Sequence, residues 1–322
     1  QCFRAQLSAG IDALSRFSDC YIVAHVQPVK YSGYLLTLAI AIFTLGACDS
    51  GHQQPDSEHA VETVTLINKG SDTIVNLALA WAEAYNKMRP NVSISVTGGG
   101  SGTGIAALTN STVDIANASR RMKNREITNA EEIGVTPVEF VIASDGIAVI
   151  VNPENPVDKL TLQQVSDIFS GKINNWSEVG GDDHPIVRLS REVNSGTHVY
   201  FLEAVVRMGD KKDETLFSTS TLLLPSSEGI TAEISQNRNA IGYDGLGYVT
   251  DAVKTIAIAV DDTSPYVSPT VETVMDSSYP VSRSLYMYTL GEPSGATKDY
   301  RDWIFGADAQ AIVKELGFVP LE

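Results

Sequence analysis

The chain has 322 residues, 43% hydrophobic and 19% charged, which supplies apolar material for one large or two medium cores and excludes a disordered polymer. Its formal charge of -16 excludes the broad basic face that a nucleic-acid partner requires. A small anion stays open, because a buried anion site is made by local donors and helix ends rather than by net charge.

The three cysteines are Cys2, Cys20 and Cys48, so no disulfide framework staples the remainder and the core must hold by packing. The run Leu35–Ala47, LLTLAIAIFTLGA, carries no charge, follows Lys30 and ends at Cys48. Its length suits the apolar core of an export signal and falls short of the roughly 20 residues of a membrane-spanning helix. Leu45-Gly46-Ala47-Cys48 resembles a bacterial lipobox, in which the cysteine is lipidated and becomes the new N-terminus. Asp49 behind it resembles the inner-membrane retention signal of Gram-negative lipoproteins. Residues 1–47 are therefore read as a segment removed on maturation, and the polar stretch 48–60 as a flexible tether.

From Val61 the pattern alternates strand-like and helix-like runs. VETVTLIN reads as a strand, IVNLALAWAEAYNKM as an amphipathic helix stopped by Pro90, VSISVT as a strand and GIAALTNST as a helix after a glycine loop. This is the rhythm of an α/β protein with largely parallel sheets. FVIASDGIAVIVN reads as two apolar runs broken at Ser144, Asp145 and Gly146, the pattern of a strand crossing between two lobes. LTLQQVSDIFSG is a short helix capped by Thr161 and stopped by Gly171, and PIVRLSRE is a strand. TSTLLLP, a helix from about Glu228 to Gln236, and AIGYDGLGYV extend the second lobe. The loosely patterned DDTSPYVSPTVETVMDSSYP is assigned the return crossing. VSRSLYMYTL and helices near 299–304 and 307–316 complete the first lobe. The expected division is 61–143 plus 278–322 for one lobe and 144–277 for the other.

Three segments concentrate glycine with hydroxyl residues where a strand gives way to a helix: Gly70-Ser71-Asp72-Thr73, Gly98 to Gly104, and Arg191 to Thr197. At such junctions unpaired N–H groups and the helix macrodipole stabilise an anion, serine and threonine add O–H donors, and an arginine supplies a planar fork. Each loop taken alone is also what an ordinary cap and tight turn look like; three together, one with an arginine, point to a shared ligand. Enzyme readings of the glycine loop fail one by one. Gly102-Thr103-Gly104 with Ala107 matches a dinucleotide fingerprint but lacks the acidic residue about 20 positions on. No lysine makes it a P-loop, and Ser101 lacks the second glycine of a nucleophile elbow. Ser195 and His198 have no evident third partner for nucleophilic catalysis. His52, His59, His184 and His198 show no metal-gathering spacing, and a surface role is expected for each.

On these loops the sequence resembles the substrate-binding proteins of high-affinity phosphate ABC transporters. The likeness runs through INKGSDTIVNLALAWAEAY, VTGGGSGTGIAALTNSTVDIANASRRMK, ASDGIAVIVNPENPV, FSGKINNWSEVGG, SREVNSGTHVYF, AIGYDGLGYV and YPVSRSLYMYT, and its most specific piece is Arg191 to Thr197. The resemblance implies a type II periplasmic-binding-protein fold, in which two α/β lobes joined by a two-strand hinge close over one dehydrated phosphate. It implies contacts from Ser71, Asp72, Thr73, Ser101, Arg191, Ser195, Gly196 and Thr197, with Ser119, Arg120 and Asp145 as further contacts. It also implies no cofactor, no metal and no catalysis, a monomer, a membrane permease as partner and a lipid anchor at Cys48. Relatives place an aspartate after the serine of Ala118-Ser119-Arg120 to accept the proton of hydrogen phosphate and so reject sulfate. Here that place holds Arg120, which either contacts the ligand or pairs with Glu126 or Glu192. Asp72, inside the first anion loop, is the preferred substitute acceptor, ahead of Asp145. Another oxyanion such as sulfate or molybdate, or an extracellular phosphatase or adhesin on the same fold, is the alternative.

Overall fold

The computed structural model describes residues 63–321; Cys48, the apolar run before it and the tether lie outside the described residues. In chain order the elements are β1 (Val64–Gly70), α1 (Asp72–Met88), β2 (Val92–Thr97), α2 (Ser101–Thr109), β3 (Ile115–Ala118), α3 (Asn124–Glu132), β4 (Pro137–Val151), β5 (Lys159–Thr161) and α4 (Leu162–Ser170). They continue with β6 (Val187–Arg191), α5 (Gly196–Phe201), β7 (Leu222–Leu224), α6 (Ser227–Gln236), β8 (Ala240–Gly245), β9 (Lys254–Thr255) and β10 (Ala257–Ala259). The last are α7 (Val271–Met275), β11 (Ser282–Leu290), α8 (Gly295–Ile304) and α9 (Ala307–Glu315). Among the described residues no helix is long and apolar enough to cross a membrane.

Helix α1 forms because its apolar residues recur at helical spacing: Ile74, Leu77, Ala78, Trp81, Ala82 and Tyr85 are buried on one face. The Trp81 indole donates to the Ala309 carbonyl of α9 at 2.9 Å, and Tyr85 meets Tyr300 edge to face, so the C-terminal helices cover the same core. Arg89 and Pro90 stop the helix, since proline cannot continue the ladder. In α4 the reciprocal cap of Thr161 and Gln164 and the left-handed Gly171 (φ 86°) fix both ends; such a cap is worth about 1 kcal/mol.

Two parallel three-stranded units, β2-β1-β3 and β8-β6-β7, are the sheets of the two lobes. They are joined through the antiparallel pair β4 and β11, giving the strand order β2-β1-β3-β11-β4-β8-β6-β7. Strand β4 runs unbroken through Ser144, Asp145 and Gly146, with Arg283 of β11 directly opposite Asp145. Along β4, Ile142 and Ala143 enter a core with Leu66, Ile74, Trp81 and Leu285. Ile147, Val149 and Val151 enter another with Phe169, Phe201 and Tyr243. The hinge is thus a strand whose two halves belong to different cores.

The return crossing differs from the expected one. The segment 261–280 carries α7 and stays with the second core through Val274 and Tyr279; the crossing itself is β11. Ladder pairing runs up to Ser282 and continues in the bond from the Ile147 N–H to the Val281 carbonyl, satisfying backbone groups that a loosely patterned loop would leave to water. Helix α3 was also not anticipated, because NREITNAEE buries a single residue, Ala130, and offers no apolar stripe.

Candidate functional site

The loops before α1, α2 and α5 converge. Thr73 and Thr197 share a hydrogen bond at 2.7 Å across 124 residues of sequence. The Ser71 hydroxyl donates to Ser119 at 2.9 Å, and Ser119 and Ser101 are 3.2 Å apart. Gly196 packs so closely that a Cβ there would lie 2.3 Å from the Ser101 hydroxyl and 2.6 Å from that of Ser119, so only glycine admits the approach. All of these residues are buried. Of the sequence-predicted set, Ser71, Thr73, Ser101, Ser119, Gly196 and Thr197 therefore form one polar cluster drawn from both lobes.

The capping pattern distinguishes the three helices. Neither Ser71 at the start of α1 nor Gly100 at the start of α2 caps its helix with a side chain, so these positive ends face the cluster uncapped. Ser195 does cap: its oxygen accepts from the backbone N–H of Thr197 and of His198. That leaves Ser195 contributing mainly the geometry of Gly196 and Thr197.

Arg191 closes β6 with its side chain only 1% exposed. It donates to Asp72 at 2.7 Å, to Ser227 at 2.7 Å and to the Pro225 carbonyl at 2.8 Å, while its Nε has no partner. Ser227 in turn donates to buried Asp244 at 2.8 Å, whose carboxyl burial pushes up to about 6. Asp72 uses both oxygens, one for Arg191 and one for the N–H of Gly99 at 2.9 Å. The preferred proton acceptor of the sequence reading is thereby engaged as a tie from one lobe to the other.

Asp145 stands differently. It is fully buried, accepts from Arg283 at 3.0 Å and from the Leu246 N–H at 3.2 Å, and burial pushes its carboxyl up against the pull of Arg283. The same Arg283 nitrogen reaches Thr197 at 3.0 Å and Thr73 at 3.4 Å, so Asp145 is one guanidinium nitrogen away from the hydroxyl cluster. Arg283 is the residue that sequence reasoning missed. Its only signal was a single cation within an otherwise uncharged crossing strand. Nε and Nη1 of this buried arginine have no partner, which marks a cation with donor capacity to spare.

Arg120 takes the salt-bridge course, donating to Glu126 through both terminal nitrogens at 2.8 Å. His198 departs from the expected surface role. It is 7% exposed, its Nδ1 lies 2.8 Å from the Arg191 carbonyl and 3.0 Å from the Ser190 hydroxyl, and burial lowers its basicity. Packed beside Phe217, it buttresses the Arg191 backbone, with Nδ1 engaged by Ser190 and Arg191 and no hydrogen bond from its ring to Ser195. No cluster able to hold a metal ion occurs among the described residues.

Comparison with known proteins agrees with this architecture. Residues 56–308 match the model of the PBP superfamily domain. The phosphate-binding protein PstS of Pseudomonas aeruginosa is 33% identical over 273 residues, covering 80% of this chain and 83% of that protein. The phosphate-binding protein PstS of Bacillus subtilis is 30% identical over 91% of this chain and 95% of its own. A putative phosphate ABC transporter substrate-binding protein from Clostridium perfringens, solved with bound phosphate, superposes with a TM-score of 0.72 at 34% identity, covering 80% of this chain and 100% of that one. The chain belongs to the PBP superfamily, among the PstS-like substrate-binding proteins of phosphate ABC transporters.

Proposed function

We propose that the chain binds inorganic phosphate between its two lobes and delivers it, outside the cytoplasm, to the permease of an ABC transporter. The observation that carries this reading is the convergence of uncapped helix starts, buried hydroxyls and the arginines Arg191 and Arg283 from both lobes and the hinge. Such a cluster neutralises a dehydrated oxyanion with local dipoles and a few charges. Each hydroxyl that now bonds a neighbour rotates about its C–O bond to donate to a ligand oxygen instead. The contacts proposed are Ser71, Thr73, Ser101, Arg191, Gly196 and Thr197, with Ser119 and Arg283 beside them. Asp145 takes precedence over Asp72 as acceptor of the ligand proton, because it is fully buried and shares one Arg283 nitrogen with Thr73 and Thr197, whereas Asp72 ties Arg191 to the Gly99 N–H. Binding closes the lobes and release opens them.

The protein acts as a binder rather than a catalyst in this reading, since Ser195 caps a helix and the His198 Nδ1 is engaged by Ser190 and the Arg191 carbonyl. The lobe limits proposed remain 61–143 with 278–322, and 144–277. Anchoring through a lipid on Cys48 to the inner membrane, action as a monomer and recognition by a membrane permease complete the proposal.

Calorimetric titration of the chain lacking residues 1–47 with phosphate, sulfate and molybdate tests it. Phosphate should bind, with sulfate at least about 100-fold weaker, as expected where a site built to hydrogen-bond a proton meets an analogue lacking it. Asp145→Asn should narrow that ratio. Sulfate or molybdate binding as tightly as phosphate, or turnover of a phosphomonoester, would overturn the reading.

A further inference from the structure

Beside the cluster lies a groove of about 660 Å³ that straddles the two lobes. Its cationic lining comprises Arg120, Arg121 and Lys123 from the loop between β3 and α3, Lys211 after α5, and Arg283 from the hinge; Glu203 is its one carboxylate. Glu126, Glu139 and Asp145, which pair with the arginines, do not line it. Lys123 and Lys211 are exposed and form no ion pair among the described residues. Ser119 and Arg283 belong to both the groove and the buried cluster, so the two are contiguous. The buried Arg283 guanidinium lies 5.5 Å from the Tyr200 ring, also in the groove wall, and keeps two nitrogens unpartnered.

With the three arginines paired, the local positive excess is carried by Lys123 and Lys211 against Glu203, on a chain of net charge -16 that repels anions at long range. We propose that the groove is an outer anion site by which phosphate reaches the cleft. Lys123 and Lys211, on opposite lobes, capture the anion, and Arg283 passes it inward to Thr73 and Thr197. The proposal rests on the phosphate reading above and adds a route and a rate. A cleft lined by one sign of charge concentrates a charged ligand and raises its association rate by about 10-fold to 1,000-fold. Such steering fades as salt shortens the screening length to about 3 Å at 1 M.

Stopped-flow association of inorganic phosphate, followed by tryptophan fluorescence across a salt series, tests it. The variant is Lys123→Glu with Lys211→Glu, both exposed and outside the buried cluster. Its association rate at low salt should fall about tenfold, converging on wild type at high salt, with dissociation altered less than about twofold because steering acts on encounter. Lys123→Arg with Lys211→Arg should retain the wild-type rate. An unchanged association rate and salt slope in the Glu variant, or a loss confined to dissociation, would overturn the groove while leaving the phosphate reading standing. Wild-type protein that takes up no phosphate would overturn both.

Discussion

Two carboxylate–guanidinium pairs border the cleft, and they differ in what they join. Asp72 and Arg191 come from the two lobes, one at the start of α1 and one at the end of β6, with side chains 14% and 1% exposed. Asp145 and Arg283 face each other on the two hinge strands, 0% and 4% exposed. The first pair must part whenever the lobes do. The second lies on adjacent paired strands, so the proposed opening leaves it intact. The same chemistry thus serves as a latch in one place and as a fixed charged rung in the other.

The largest effect is expected from breaking the rung on one side. Arg283→Met leaves Asp145 buried without its cation and should destabilise the fold by about 3–5 kcal/mol, as for other one-sided losses of a buried pair. Urea unfolding would read this directly, and Arg283→Met with Asp145→Leu should recover most of it. A loss below about 1 kcal/mol in the single variant would mean that the rung behaves as a surface pair does.

Asp72→Asn should leave stability near wild type and act on closure. Phosphate affinity is expected to fall about tenfold, or about 1.4 kcal/mol, and the ligand-free protein should show a larger radius of gyration by small-angle scattering. If the variant instead loses discrimination against sulfate at unchanged affinity, Asp72 is the proton acceptor after all and the latch assignment fails.

The smallest effect concerns the carboxylate behind the latch. Asp244 is raised from its ordinary 3.8 to about 6, so its stabilising protonation is complete below 3.8 and is lost as pH rises through about 6. As pH rises from 5 to 7 this group alone makes the wild type progressively less stable. Asp244→Asn should therefore show a flatter pH dependence of melting temperature over that window. Glu126, lowered by its bonds to Arg120 and the Lys123 N–H against the cost of burial, works in the opposite direction. It is common to both proteins and cancels in the difference.

The sequence was legible where a residue's task is local. The apolar stripe of α1, the Thr161 cap, the Gly171 stop and the three glycine–hydroxyl loops announce themselves within a few positions. It was opaque where the partner is remote. Arg283 meets an aspartate 138 residues away, and nothing near Arg283 in the chain signals that meeting. His198 reads as a surface histidine until β6, α5 and Phe217 enclose it. Asp72 sits in an anion loop, but its two oxygens were assigned only when Gly99 and Arg191 arrived from elsewhere.

The long antiparallel pairing of β4 with β11, with one register shift between Leu285 and Tyr286, has a mechanical consequence. A two-stranded ribbon twists easily, yet sliding one strand past the other would break every rung and turn each side chain to the wrong face. The Asp145–Arg283 rung, fixed opposite in that register and next to the last rung of the ladder, pins the ribbon against slip at the end that enters the second core. In the proposed opening the ladder permits rotation and resists slip, so that reclosure would return Gly196 to the same place against Ser101 and Ser119. A protein that must reset after every delivery acquires its repeatability from a hydrogen-bonded ladder rather than from the ligand.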